Sequence, residues 1–114
     1  MIPDNHSKII QQLLHSLGVT EQYTGFAHTV YATQLTICDP GRLKLITKLL
    51  YPDVAKKYNT SWRSVERNIR TVVSVAWKND PQLLSELAGC SLRDRPNNGW
   101  FLAILAGSIS RITL

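Results

Sequence analysis

The chain has 114 residues, 44% of them hydrophobic and 18% charged, and a formal charge of +5; this composition excludes a disordered polar chain and fits one globular domain. The most apolar run, Trp100 to Ile109, is about half the ~20 residues that a membrane span requires, and Met1 to Ser7 lacks the charged and apolar regions of a leader. No membrane partner is expected, and the expected location is the cytoplasm.

In chain order, Ile9, Ile10, Leu13, Leu14 and Leu17 form one helical stripe that Gly18 stops, as a C-terminal cap does. A second helix is predicted from about Glu21 to Thr36, carrying Tyr23, Phe26, Ala27, Val30, Tyr31 and Leu35. Asp39-Pro40-Gly41 breaks the chain, with Asp39 as N-cap and Pro40 at the first helical position. Leu43, Ile46, Leu49 and Leu50 then share one face. Tyr51-Pro52-Asp53 starts a short helix to Tyr58, because proline suits a first turn and disfavours helix just before it. Asn59 tolerates the left-handed conformation of a tight turn, and Thr60 or Ser61 caps the next helix. That helix, about Ser61 to Lys78, shows Val65, Ile69, Val72, Val73 and Ala76 on one stripe. Asn79-Asp80-Pro81 ends it. A short helix from Pro81 to Ala88 stops at Gly89, Ser91 to Asn98 is a polar loop, and Trp100 to Ile112 is a last apolar helix. No segment alternates with period two. The expected fold class is all-α: a compact bundle of about six helices containing a helix-turn-helix.

The charge is concentrated. From Met1 to Gly41 the sum is −2, and from Asn79 to Leu114 Arg93, Arg95 and Arg111 cancel Asp80, Glu86 and Asp94. Between Arg42 and Lys78 nine basic residues meet only Asp53 and Glu66, giving +7. Such a block in a neutral frame is the footprint of a polyanion binder; its alternative is a solvated surface. Within it, Pro52 to Arg70 reads PDVAKKYNTSWRSVERNIR. Ala55 is small where two helices cross, Asn59 suits the turn, and Val65 and Ile69 anchor the second helix. Arg63, Glu66, Arg67 and Arg70 then project together on the opposite face, where groups that reach base edges and phosphates belong.

The run ITKLLYPDVAKKYNT followed by SVERNIRTVVSVAW resembles the DNA-binding effector domain of the sporulation stage-zero master regulator family of endospore-forming bacteria. IIQQLLHSLGV and YTGFAHTV match that family's opening helices in pattern, and NNGWFLAILAGSI its last helix. The resemblance implies a six-helix fold that reads the major groove of double-stranded DNA, and transcriptional activation or repression at promoters carrying a TGTCGAA-like box. It also implies homodimers on tandem boxes, contact with RNA polymerase, and control by a phosphorylated receiver domain. No receiver pattern lies in these 114 residues, so the chain is expected to be an excised domain or a stand-alone paralogue.

Glu66, Arg67 and Arg70 match the family's V-E-R-x-I-R residues. The candidate base-reading set is Arg63, Ser64, Glu66 and Arg67, with the Arg67 fork suited to guanine O6 and N7 and Glu66 to a cytosine amino group. The candidate phosphate contacts are Lys56, Lys57, Ser61, Arg70 and Thr71. Glu66 has an alternative as the intrahelical partner of Arg63 or Arg70, and Lys48 as a solvated charge. Ser64 stands where the family has a basic residue, Thr71 where it has histidine, and Trp62 either packs on the sugar–phosphate backbone or covers the hairpin.

No cofactor is expected. Cys38 and Cys90 lack zinc spacing and are expected to be reduced and mostly buried, and His6, His15 and His28 share no ligand spacing. Neither a Gly-framed nucleophile nor a phosphate-binding glycine loop is present, so the chain is read as a non-enzyme. The apolar last helix, with Trp100, Phe101, Ile104, Leu105 and Ile109, either fills the core or forms a dimer surface. The dimer option supports a second reading: a helical interaction module that antagonises a full-length relative.

Overall fold

In a computed structural model, residues 4–113 are described, with side chains over 6–112. All regular structure among them is helical, and the molecule measures 33 × 29 × 27 Å. The first helix, α1 (Asp4–Ser16), buries Ile10 and Leu14 completely, with Leu17 just beyond it. It ends at Gly18 with φ 85°, where the Val19 N–H donates to the Leu14 carbonyl at 2.9 Å. α2 (Thr24–Cys38) is the central helix and packs against α1 and the two longest later helices. Its mixture of Phe26, Val30, Ala32 and Leu35 with buried Thr29, Thr33 and Thr36 leaves little polar face, as a helix surrounded by others requires. It starts after the expected Glu21, because a turn in which the Tyr23 N–H donates to the Thr20 carbonyl (3.1 Å) precedes it.

Asp39 acts as the expected cap, its Oδ1 accepting from the Gly41 N–H at 3.1 Å. The segment that follows is split. Pro40–Leu45 is a 3₁₀ helix, Leu45 leaves helical geometry at φ −136° and ψ 61°, and α3 (Ile46–Leu49) is a single turn. The expected shared face is therefore broken: Leu50 is buried, Leu43 and Ile46 are half-buried, and Leu49 is exposed together with Leu45. A 3₁₀ helix has three residues per turn, so the α-helical register is lost there.

α4 (Tyr51–Lys57), α5 (Trp62–Asn79), α6 (Pro81–Ala88) and α7 (Asn98–Thr113) complete the fold. The α5–α6 corner is made by Asp80, whose carboxylate accepts from the Leu83 N–H at 3.0 Å, and by Pro81 in the first turn. Gly89, with φ 75°, ends α6. Asn97 opens α7 by accepting from the Trp100 N–H at 2.8 Å, which places the helix start two residues before the expected Trp100.

Phe101, Ile104, Leu105 and Ile109 of α7 are buried in the core, which leaves Trp100 as the exposed member of the suspected dimer set. One expectation is overturned: Cys38 and Cys90 are both free and exposed, not buried. Cys38 is the last residue of α2 and Cys90 follows Gly89 in the turn after α6, so neither sits on a core-facing stripe. No described helix is long and apolar enough to cross a membrane.

Candidate nucleic-acid interface

α4, its turn and α5 form the unit that organises the site. Pro52 sits in the first turn of α4, and Val54 and Ala55 turn inward. Asn59 takes φ 53°, the one positive value at a non-glycine position among the described residues, which asparagine accepts more readily than a β-branched side chain. The chain then folds back, with the Thr60 N–H donating to the Ala55 carbonyl at 2.9 Å. Tyr58 pins the turn to α2 through its ring, 5.1 Å from that of His28 and 6.2 Å from that of Tyr31. Ser61 has extended geometry (φ −94°, ψ 155°), and its Oγ accepts from the Ser64 N–H at 3.1 Å, the bond that starts a helix.

α5 divides cleanly. Val65, Ile69, Val72, Val73 and Ala76 are buried. Arg63, Arg67, Arg70, Thr71 and Lys78 are exposed; Arg67 lies four residues from Arg63 and from Thr71 and three from Arg70, and Lys78 seven beyond Thr71, so they share the outward side. Gly25 of α2 lets α5 seat closely: a Cβ there would lie 2.2 Å from the Asn68 carbonyl oxygen.

The charges are arranged unequally. Both acids of the basic block are partnered: Asp53 with Arg42, and Glu66 with Arg70 at 3.0 Å. The Glu66 pair is one of the two intrahelical partners its sequence left open. It is an exposed i,i+4 pair, a class that contributes only about 0.3–0.5 kcal/mol, so the pair separates at little cost when a competing anion or base edge arrives. Arg67 makes no ion pair or side-chain hydrogen bond among the described residues; its carbonyl accepts from the Thr71 hydroxyl at 3.1 Å. Arg63 lies over the Trp62 ring at 5.3 Å, and Lys57 over the Tyr31 ring at 4.9 Å. Lys56 is exposed at the end of α4. Ser61 donates its hydroxyl to Ser64 Oγ at 3.0 Å, which leaves the Ser64 hydroxyl hydrogen available. Trp62 stays 38% exposed, so it covers the hairpin only in part.

Two residues join the site from outside the sequence block, Arg95 and Asn98, and Ser74 of α5 receives the first of them. Arg95, in the α6–α7 loop, donates from Nη1 to Ser74 Oγ at 2.6 Å, and Ser74 in turn donates to the Arg70 carbonyl at 3.1 Å. Asn98 donates from Nδ2 both to the Glu66 carbonyl and to the Tyr51 hydroxyl, each at 3.0 Å, tying α7 to α5 and α4. Burial pushes the Tyr51 hydroxyl above its ordinary titration range, so it remains protonated. Counting charge along the chain hides Arg95, because there it is cancelled by nearby acids. Nothing in the local sequence marks Ser74 or Asn98.

Among the described residues no group of three or more His, Cys, Asp or Glu comes together. The arrangement is a cationic helix face on which the Arg67 guanidinium, among the described residues, has neither an ion pair nor a ring beneath it. The family model for "Sporulation initiation factor Spo0A C terminal" matches residues 10–109, nearly the whole chain. That family is a DNA-binding transcription-regulatory effector domain of sporulation, not an enzyme family. The chain thus belongs to the Spo0A C-terminal family.

Proposed function

We propose that this protein binds double-stranded DNA sequence-specifically by placing α5 in the major groove, and so regulates transcription at sporulation promoters. The observation that carries the reading is Arg67: exposed, unpaired among the described residues, and central on the outward face of a helix whose other side is wholly buried. A free guanidinium on a rigid helix is preorganised to meet guanine O6 and N7 together. Arg63, Ser64 and Glu66 flank it as further base-edge contacts. Lys56, Lys57, Ser61, Arg70 and Thr71 hold phosphates around them and set the register. The first turn of α5 carries no acid, so the positive end of the helix dipole is left to favour an approaching phosphate.

In this reading the chain is one effector unit working in the cytoplasm, paired with a second copy on tandem boxes and acting on RNA polymerase. The interaction-module alternative has less support, because α7 commits most of its large apolar side chains to the core.

Selection from random duplexes followed by binding titrations tests the assignment. Arg67→Ala is expected to lose about 1–3 kcal/mol on the selected site and to relax the preference at one base pair. Undiminished discrimination by the variant contradicts the role.

A further inference from the structure

We infer that the α6–α7 loop is a second DNA-contacting element, in which Arg95 and Arg70 together hold a backbone phosphate at the edge of the groove entered by α5. The inference rests on the groove-helix reading above and extends it to a loop that the charge block does not include.

Ser74 lies one turn beyond Arg70 and two turns beyond Arg67, on the same side of α5. The 2.6 Å bond from Arg95 Nη1 to Ser74 Oγ therefore brings the loop's guanidinium to the DNA-facing side of the helix. Arg95 is exposed, and its partner there is a neutral hydroxyl instead of a carboxylate, so its charge is uncompensated and four of its five N–H donors remain. Arg70 is its cationic neighbour across a cleft of about 520 Å³ that both arginines line with Asn97, Asn98 and Trp100. The one carboxylate in that cleft, Glu66, is already paired with Arg70.

The loop is also held still. Pro96, directly after Arg95, is buried, and Asn98 is bonded to both α5 and α4. A cation fixed this way loses little further entropy when it meets a phosphate. A monoanionic phosphodiester, with its two charged oxygens, suits two guanidinium groups lining one cleft, and the polyanion that α5 meets on this side supplies such a group at every nucleotide. A phosphate contact carries no base information, so Arg95 sets affinity and register, not the sequence read.

The test is an anisotropy titration of the whole chain on its selected duplex and on an unrelated duplex, at salt concentrations from about 50 to 200 mM. Arg95→Gln keeps a donor for Ser74 and removes the charge; Arg93→Gln removes a charge two residues away. The inference predicts that Arg95→Gln binds both duplexes more weakly by a similar factor. Its log K against log salt slope should be flatter by about 0.9, so that over this range the unaltered chain loses about 3.5-fold more affinity than the variant. Arg93→Gln should leave the slope unchanged. An unaltered slope for Arg95→Gln overturns the inference, as does a loss confined to the selected duplex or an equal effect of Arg93→Gln. If Arg67→Ala abolishes discrimination while Arg95→Gln is indifferent, only the loop assignment fails. If the unaltered chain shows no preference between duplexes, the α5 reading fails first.

Discussion

At the scale of single residues, His28 sits at 4% exposure between α2 and the turn, and its Nδ1 has no hydrogen-bond partner. Burial disfavours its charged form and holds its pKa below the ordinary 6.5. The unfolded chain therefore binds a proton at a pH where the folded one does not. Stability should be flat above about pH 6.5 and should fall as pH drops from there toward the lowered folded value. Urea midpoints between pH 7.5 and 5 check this: His28→Leu should lose much of that decline, and a midpoint that rises on acidification contradicts it. Asn59 was legible in the sequence, because a turn between two amphipathic stretches asks for a residue that accepts positive φ. His28 was not, because its burial depends on Tyr58, thirty residues away in sequence and adjacent only after folding. Arg67 was legible as an outward residue, whereas the pairing of Glu66 with Arg70 instead of Arg63 depended on side-chain rotamers.

The scale of elements separates local signals from packing signals. Caps are local, so Asp39 and Gly89 marked their helix ends from sequence, Ser61 was one of two cap candidates there, and Asn79-Asp80-Pro81 marked the α5–α6 corner at which Asp80 caps. The stretch from Pro40 to Leu49 misled because one apolar spacing serves both an α-helix and a 3₁₀ helix over a single turn. The exposed positions of Leu45 and Leu49 follow from which one forms. Gly25 exposes a demand of packing that no periodicity reveals. With a Cβ 2.2 Å from the Asn68 carbonyl oxygen, Gly25→Ala must push α5 away from α2. It should cost about 1–3 kcal/mol in denaturant unfolding, as overpacking generally does. Gly99→Ala, whose Cβ would meet nothing nearer than 3.6 Å, should be close to neutral. Equal stabilities for the two variants would show that α2 and α5 are not so closely seated.

For the whole molecule, the fold class and the cationic third of the chain could be read directly, since both depend on composition and spacing. Completion of the interface could not. Arg95 reaches Ser74 across 21 residues, and Asn98 reaches Tyr51 across 47, through the way α7 closes over α4 and α5. A stripe assigned from one helix becomes a surface assembled from α4, α5 and the α6–α7 loop. In the proposed function, α5 enters the major groove with Arg67 against a guanine. Methylation interference measures this directly, because guanine N7 lies in that groove. Methylating N7 of one guanine in the selected site should block the unaltered chain, and Arg67→Ala should be indifferent to the same methyl group. Binding that survives N7 methylation at every guanine of the site would contradict it.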